Sequence, residues 1–244
     1  MINEFSRSEL LLGPDAMNRL NNTTIALFGI GGVGSHCAEA LARAGVGTLI
    51  LVDNDRVSLT NINRQSIAYH STVGRTKTEL MKQRIADINP NAKVITFETF
   101  VLPENIDGVL PDGIDYIIDA IDTVSAKLAL AQTAWQRQIP IISCMGTGNK
   151  LHAQLFEIAD IYDTSVCPLC RVMRKELKAR GIPRLKVLYS REQPLPSQIP
   201  SEENTSKRAV PGSVSFVPPV AGLLIAGEAI RDVLNIPSCG KPTL

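Results

Sequence analysis

The chain has 244 residues, a formal net charge of +1 and 44% hydrophobic residues, an ordinary globular composition. A charge so near zero argues neither for nor against a polyanionic partner until its distribution is known. The N-terminal residues lack the basic-then-apolar pattern of a secretion signal, and no run of about 18 apolar residues could span a bilayer. We therefore expect a cytoplasmic protein with no membrane partner.

Short β-branched runs alternate with longer helical patterns over residues 24–144, which predicts βαβ units around a parallel sheet. The predicted strands are residues 25–28, 49–52, 94–97, 116–119 and 141–143. The predicted helices are residues 34–44, 77–88 and 124–138. The expected fold is α/β and Rossmann-like, with a mainly parallel sheet, flanking helices and a less regular C-terminal part.

The alternation ends after residue 144. The pattern there predicts a strand at 154–158, a Cys-Pro-Leu-Cys turn, a basic helix at 172–180, a strand at 186–189 and a buried helix at 216–230. Residues 190–211 contain several prolines and no apolar period, which predicts a mobile loop. Residues 237–244 are expected to form a loose tail.

A glycine loop follows the first predicted strand and opens the first predicted helix. Its glycines are Gly29, Gly31, Gly32 and Gly34. Such glycines allow a tight turn and close approach of phosphates to the backbone at a helix N-terminus. Asp53 ends the next strand, at about the right distance to accept from a ribose hydroxyl. The pattern predicts a nucleotide site, although a turn that serves only packing would share it.

Fixed charges after the second and fourth predicted strands narrow the choice of nucleotide. Arg64 and Lys77 follow the second strand, where cations suit a triphosphate whose charge must be neutralised. Asp122 follows the fourth strand, at the edge where open α/β sheets bind ligands, and could hold magnesium. Taken singly, each could instead be a solvated surface charge.

Together these residues resemble the ThiF-type adenylating superfamily, bacterial relatives of ubiquitin-activating enzymes. The resemblance covers roughly residues 3–158. It rests on Phe-Ser-Arg7 with the following Leu-Leu-Leu-Gly13, the glycine loop, Asp53-x-Asp55, Asn61-x-Asn63-Arg64-Gln65, Gly74-x-x-Lys77 and Asp119-x-x-Asp122. It implies a single adenylation domain over residues 1–244, with an ATP-binding core at 1–158 and a substrate-side region at 159–236.

The resemblance also implies roles for individual residues. Asp53 would bind the ribose of ATP, Arg64 and Lys77 its phosphates, and Asp122 a magnesium ion. The implied ATP site comprises Gly29, Gly31, Gly32, Gly34, Asp53, Asp55, Asn61, Asn63, Arg64, Gln65, Lys77, Asp122 and Thr123. Arg7 would act in the neighbouring subunit's site, which implies a homodimer; the alternative is a surface ion pair.

Five cysteines in a chain without a signal pattern favour thiols or metal ligands over disulfides. Cys167 and Cys170 form one Cys-x-x-Cys pair, whereas sulfur-carrier activators of this superfamily typically carry two pairs that close a zinc site. Cys239 is the remnant of a second pair. A zinc site, a redox-active pair and a pair of buried thiols all remain open. Neither Cys144 as a nucleophile nor the three histidines are expected to carry chemistry.

A strongly basic segment follows the cysteine pair. It contains Arg171, Arg174, Lys175, Lys178, Arg180, Arg184 and Lys186 against the single acid Glu176. Such charge density favours a nucleic-acid backbone, with a solvated helix face as the alternative.

With the Met-Gly-x-Gly-Asn-Lys run at 145–150 and the closing apolar helix, this segment resembles the tRNA threonylcarbamoyladenosine dehydratase branch. That branch implies ATP-dependent cyclisation of a modified tRNA adenosine through an acyl adenylate. The alternatives are an adenylyltransferase for the C-terminal glycine of a sulfur-carrier protein, with a sulfurtransferase or cysteine desulfurase partner, a nicotinamide-dependent oxidoreductase, and a noncatalytic tRNA-binding protein.

Overall fold

The computed structural model describes residues 2–199 and 211–237. Its strands are β1 (Thr24–Phe28), β2 (Thr48–Val52), β3 (Lys93–Phe97), β4 (Tyr116–Asp119), β5 (Ile141–Cys144), β6 (Phe156–Asp160) and β7 (Lys186–Ser190). Its α-helices are α1 (Ser6–Leu12), α2 (Pro14–Asn21), α3 (Gly34–Arg43), α4 (Lys77–Ile88), α5 (Ile106–Val109), α6 (Val124–Arg137), α7 (Pro168–Ala179) and α8 (Val217–Leu234).

The strands form one seven-stranded sheet in the order β3-β2-β1-β4-β5-β7-β6. All neighbours run parallel except β6, which lies antiparallel to β7 at the edge. In the centre, Leu27 lies between Leu51 and Ile118, and all three side chains are fully buried. The predicted α/β, Rossmann-like fold with a mainly parallel sheet is confirmed.

Helices cover both faces of the sheet, which explains why its strands are apolar on both sides. Helices α3, α4 and α8 pack on one face, where Leu41 and Ile225 are fully buried. Helices α5, α6 and α7 pack on the other face, around Leu130 and Met173. The carboxyl edge of the parallel strands is left for a functional site.

Three features of the helices differ from the expectation. The predicted Cys-Pro-Leu-Cys turn is wrong, because α7 already begins at Pro168 with Cys167 as its N-cap residue. Proline is well suited to the first helical position, since its missing N–H has no intrahelical partner there. Helix α8 continues to Leu234, and helices α1, α2 and α5 were not predicted.

Residues 200–210 of the loop predicted at 190–211, and all but the first residue of the tail predicted at 237–244, lie outside the described residues. Both therefore stay predictions. No helix within 2–199 or 211–237 combines the length and hydropathy that a membrane span needs.

A buried ion pair joins three elements beneath the carboxyl edge. Lys127 of α6 donates to Asp119 Oδ2 at the end of β4, over 2.9 Å, and both side chains are fully buried. Lys127 Nζ also donates to the carbonyl oxygen of Cys144, over 2.6 Å, while Ser143 Oγ donates to Asp119 Oδ2 over 2.5 Å. The two charges are therefore paired and hydrogen-bonded, the condition under which buried ions are tolerated.

Replacing Lys127 by methionine should destabilise the fold strongly, because Asp119 would keep a buried charge without its partner. We expect a loss of about 3–5 kcal/mol in the free energy of unfolding, measured by urea denaturation. The matched control is Lys175→Met on the exposed face of α7, which should change stability by less than about 0.5 kcal/mol. Equal effects of the two substitutions would contradict this account of the pair.

Candidate active site

An open cleft of about 620 Å³ lies at the carboxyl edge of the sheet. It is centred where the strand order reverses between β1 and β4, the position at which open α/β sheets bind ligands. Of the residues predicted for nucleotide binding, the structure brings together Gly29, Gly31, Gly32, Asp53, Asp55, Asn61, Arg64, Gln65, Lys77, Asp122 and Thr123 along this cleft. Gly34 and Asn63 do not line the cleft.

Two glycines of the loop after β1 have different reasons to be glycine. A Cβ on Gly34 would lie 1.7 Å from the carbonyl oxygen of Gly29, so no larger residue fits where α3 begins. A Cβ on Gly31 would meet nothing within 4 Å in the described structure, although Gly31 lines the cleft. Protein packing therefore requires glycine at 34, whereas glycine at 31 leaves space for a ligand near the backbone.

Asp53 reaches from the end of β2 to the glycine loop. Its Oδ2 accepts from the backbone N–H of Ile30 over 2.5 Å, and its Oδ1 accepts from that of Asp55 over 2.7 Å. Burial raises the pKa of Asp53, while Lys77 and these two backbone donors oppose the rise. The carboxylate is thus held in place beside the loop, with oxygen atoms available for hydroxyl donors.

Lys77, the first residue of α4, is only 4% exposed. Its Nζ lies 2.7 Å from Asp55 Oδ2 and 3.9 Å from Asp53 Oδ1. The side chain of Asp55 is 59% exposed, so its pairing with Lys77 is screened by solvent and is weak. Phosphate oxygens entering the cleft could therefore replace Asp55 as the partner of Lys77 at small cost.

Arg64 faces the glycine loop from the segment between β2 and α4. Its Nη1 donates to the carbonyl oxygen of Thr60 and to Asn63 Oδ1, both over 2.8 Å. The ring Nε2 of His36 on α3 donates to the backbone oxygen of Arg64 over 3.0 Å. His36, to which the sequence assigned no chemistry, thus has a structural role in holding the Arg64 backbone against α3.

The amide residues around Arg64 differ in function. Asn61 Oδ1 accepts from the backbone N–H of Ser58 over 3.1 Å, and Asn63 Nδ2 donates to the backbone oxygen of Ser213 over 2.9 Å. These bonds shape the loop and tie it to the segment before α8. Gln65 is buried, and its Oε1 has no hydrogen-bond partner among the described residues.

Asp122 and Thr123 follow β4 on the opposite side of the cleft. Asp122 is exposed, and Thr123 is the N-cap residue of α6. Asp119, three residues earlier, instead forms the buried ion pair with Lys127. Of the two aspartates in this motif, therefore, only Asp122 can meet a ligand.

Two further segments line the cleft. These are residues 99–101 after β3 and residues 145–148 after β5, together with Leu169 of α7. The run at 145–150 stands out in the sequence as a motif, whereas no local pattern distinguishes residues 99–101 or Leu169, because tertiary packing alone brings them to the site.

Comparison with known proteins assigns the chain to a family. The ThiF family model matches residues 5–243, which is nearly the whole chain. The chain belongs to the ThiF family. It is 43% identical over 244 residues to the tRNA threonylcarbamoyladenosine dehydratase of Bacillus subtilis, with 96% of each chain covered.

Two further comparisons of this ThiF-family chain are with Escherichia coli, one by sequence and one by structure. The tRNA threonylcarbamoyladenosine dehydratase of strain K12 is 38% identical over 175 residues, which cover 72% of this chain and 65% of that one. The crystal structure of the E. coli enzyme in complex with ATP superposes with a TM-score of 0.86 at 31% identity, covering 95% of this chain and 94% of that chain.

Arg7 lies apart from the cleft of its own ThiF domain. It is exposed on α1 and does not line the cleft. Two leucines of the same helix, Leu10 and Leu11, are 89% and 85% exposed. This arrangement therefore does not favour a catalytic role for Arg7 in the cleft of its own chain.

The basic segment divides into exposed charges and internally paired ones. Arg174 donates to the backbone oxygen of Thr164 over 2.9 Å, and Lys186 donates to Asp232 over 2.7 Å and to Glu228 over 2.9 Å. The exposed cations on α7 are Arg171, Lys175 and Lys178, spaced to share one face, while Arg180 pairs with Glu176 on the helix. Arg184 lies over the ring of Trp135, 5.9 Å from its centroid.

The expectation that Arg174 and Lys186 contact nucleic acid therefore needs correction in the ThiF domain. Arg174 instead ties α7 to the backbone of Thr164, and Lys186 ties β7 to α8.

The cysteine pair does not form a metal site with other described residues. Cys167 and Cys170 are buried free thiols. Within 2–199 and 211–237, no three His, Cys, Asp or Glu side chains come together in a way that could hold a metal ion. Cys239 lies outside this part of the chain, so the described ThiF domain provides no support for the zinc alternative.

Substituting Gly31 by alanine should weaken nucleotide binding without unfolding the domain, because its Cβ would occupy cleft space and touch no protein atom. We expect about tenfold weaker ATP binding, or about 1.4 kcal/mol, in isothermal titration, with an unchanged melting temperature. Gly108→Ala is the control, since a Cβ there also meets nothing but lies on α5 outside the cleft. Wild-type ATP affinity in Gly31→Ala would contradict the assigned use of this space.

Proposed function

We propose that this chain is an ATP-dependent tRNA threonylcarbamoyladenosine dehydratase of the cytoplasm. The observation that carries the proposal is the set of buried or fixed charges around the glycine loop, in a chain whose Bacillus subtilis relative of that name matches it over 96% of both lengths. A hydride-transfer reaction has no role that would require Arg64, Lys77 and Asp122 together. Activation of a carboxylate by ATP uses all three.

The first step joins the substrate to the nucleotide. A carboxylate oxygen of the threonylcarbamoyl group attacks the α-phosphorus of ATP, and pyrophosphate leaves with the electrons of the broken P–O bond. Asp53 holds the ribose, while Lys77 and Arg64 neutralise charge on the phosphates as the bond order changes. Lys77 can exchange its exposed partner Asp55 for a phosphate oxygen at small cost.

Magnesium fits one residue of this site. An exposed carboxylate such as Asp122 suits an ion held chiefly by phosphates and water, because magnesium prefers hard oxygen ligands and keeps much of its hydration. Bound there, magnesium would supply further neutralisation of the phosphates. The chain's own residues orient the reacting groups.

The second step closes a ring on the substrate. A ureido nitrogen of the same modification attacks the activated carbonyl carbon, loses its proton and expels AMP, so the net change in the tRNA is the loss of water. Because the nucleophile is already attached to the electrophile, positioning can supply much of the rate. No enzyme thiolate is needed. Consistent with this, burial raises the pKa of Cys144, beside the cleft, to about 12.

The exposed cations of α7 supply the tRNA surface in this proposal. Leu169, in the first turn of α7, lines the cleft, while Arg171, Lys175 and Lys178 extend outward from it on the same helix. A phosphate backbone lying along this stripe would keep the modified adenosine near the cleft. Such contacts give affinity that falls steeply with salt.

A homodimer completes the site in this proposal, with Arg7 acting on the partner's pyrophosphate. The supporting observations are the exposed position of Arg7 on α1 and the two exposed leucines beside it, since large apolar patches often mark interfaces.

Pyrophosphate release followed by nucleoside mass spectrometry tests the proposed reaction. The purified chain receives ATP and magnesium with modified tRNA, with unmodified tRNA, or with a sulfur-carrier protein that ends in Gly-Gly. We expect release only with modified tRNA, a product lighter by one water, and no need for a sulfurtransferase or cysteine desulfurase. Release only with the sulfur carrier would reject the dehydratase in favour of the protein-activating alternative.

Mixing two inactive variants tests the role of Arg7 in trans. Arg7→Ala and Lys77→Ala should each lose most activity, while a mixed dimer contains one site with both residues intact. We expect recovery toward a quarter of wild-type activity after subunit exchange, as random pairing gives half mixed dimers with one intact site each. The control is Arg19→Ala, which removes an arginine on the neighbouring helix α2 and should retain activity. Failure to recover in dimers shown to have exchanged would exclude the trans assignment.

A further inference from the structure

A buried pair of thiols lies at the N-terminus of α7, outside the proposed reaction. Cys167 is the N-cap residue of this 12-residue helix, and Cys170 lies in its first turn. Cys167 is 3% exposed and Cys170 is fully buried. Within residues 2–199 and 211–237, no third metal ligand lies beside the two thiols.

The surroundings separate the two thiols into a donor and an acceptor. The thiol of Cys170, together with the backbone N–H groups of Cys170, Leu169 and Gly146, lowers the pKa of Cys167 to about 5 despite burial. The same contact with Cys167, reinforced by burial, raises the pKa of Cys170 well above its usual range. Cys167 is thus the thiolate of the pair and Cys170 the protonated thiol.

Two cations support the charge on this pair. Lys150 is 4% exposed, and attraction to Cys167 opposes the lowering of its pKa by burial. Arg174 of α7 donates to the backbone of Thr164, and its charge opposes the rise in the pKa of Cys170. A positive setting at a helix N-terminus lowers the pKa of a cysteine thiol and so increases the fraction present as thiolate.

The backbone before the pair is held in an unusual conformation. Val166 has φ of +64°, which is rare for a β-branched residue because of steric crowding. The N–H of the next residue, Cys167, donates to the backbone oxygen of Ser165 over 2.6 Å. This turn fixes where the sulfur of Cys167 lies relative to α7.

The pair also adjoins the proposed nucleotide cleft. Leu169, between the two cysteines, lines the cleft, as does Gly146, whose N–H faces Cys167. Any reaction that moves the sulfur of Cys167 would leave that N–H without its acceptor and disturb the wall at residues 145–148.

We propose that Cys167 and Cys170 form a reversible dithiol–disulfide pair that reacts with low-molecular-weight disulfides of the glutathione class and alters the adjoining cleft wall. The Cys167 thiolate attacks one sulfur of the oxidised disulfide, forming a mixed disulfide and releasing one thiolate, which takes the proton of Cys170. The Cys170 thiolate then attacks the Cys167 sulfur, forms the internal disulfide and releases the second thiolate, which takes a proton from solvent. The pair is oxidised and the small disulfide is reduced to two thiols.

The stabilised thiolate determines how the pair would respond to redox conditions. Stabilising the reduced form makes a disulfide easier to reduce, so the bond would be labile rather than structural. The pair would remain reduced in a reducing compartment and close when oxidised glutathione accumulates. The disulfide chemistry does not rest on the proposed reaction; only its effect on the cleft does.

Peptide mapping by mass spectrometry after incubation with oxidised glutathione tests the chemistry. In the folded wild type we expect loss of two hydrogens and a link between Cys167 and Cys170. Cys170→Ser should stop at a glutathione adduct on Cys167, Cys167→Ser should give no adduct at Cys170, and Cys37→Ser, which removes a buried thiol from the other face of the sheet, should behave as wild type. Both thiols remaining unmodified in folded wild type, while they react in urea, would overturn the proposal, as would an adduct on Cys170.

Titration of the oxidised and re-reduced wild type with ATP tests the link to the cleft. We expect about fivefold weaker binding after oxidation, restored by dithiothreitol, within the usual range of coupling between sites. Equal affinities of the two forms, with the disulfide present by mass, would overturn the coupling. If neither form bound ATP, the proposed function would fail, while the mapped disulfide would still stand as a separate result.

Discussion

The functional geometry depends on the reversal of strand order between β1 and β4. Helix α3 leaves β1 on one face of the sheet and α6 leaves β4 on the other, so the segments after these strands diverge and leave a crevice. Gly34 keeps α3 tight against the loop on one side of the crevice. The buried pair of Asp119 and Lys127 ties β4, β5 and α6 together on the other side. Every proposed contact with ATP depends on the positions of these two sides of the crevice.

The charges within the crevice are arranged to be exchanged rather than permanently paired. Asp53 is fixed by two backbone donors, but Asp55 is largely exposed and holds Lys77 only through a screened contact. A triphosphate can therefore take over Lys77 without leaving a buried carboxylate uncompensated. The deeper pair, Asp119 with Lys127, has no such freedom, and this difference separates the structural charges from the chemical ones.

Local patterns predicted the fold well because parallel strands and the glycine loop are defined by neighbours in sequence. The predicted strand positions agree with the structure to within two residues, and most of the residues predicted for nucleotide binding line the cleft. The partners of the basic segment were harder to predict. Lys186 donates to Asp232, which lies 46 residues later in the sequence, and no local pattern distinguishes such a lysine from an exposed one. Pro168 is a local signal for the start of α7, because proline is favoured at the first helical position.

Distance along the sequence also explains why parts of the site could not be predicted. Residues 99–101 reach the cleft only through packing of β3 in the sheet, and the hydrogen bond from His36 to the Arg64 backbone joins two elements that are far apart in sequence. The cysteine pair was visible as a motif, but its helix N-terminus, its buried Lys150 and its contact with Gly146 required the structure.

The account rests most directly on the claim that the chain activates a carboxylate by adenylation. Modified tRNA carrying heavy oxygen in both carboxylate positions of the threonylcarbamoyl group, incubated with the enzyme, ATP and magnesium, would follow that oxygen through the reaction. The account predicts one labelled oxygen in the phosphate of AMP and one retained in the new carbonyl of the cyclised nucleoside. Label in inorganic phosphate or in water, with none in AMP, would contradict it.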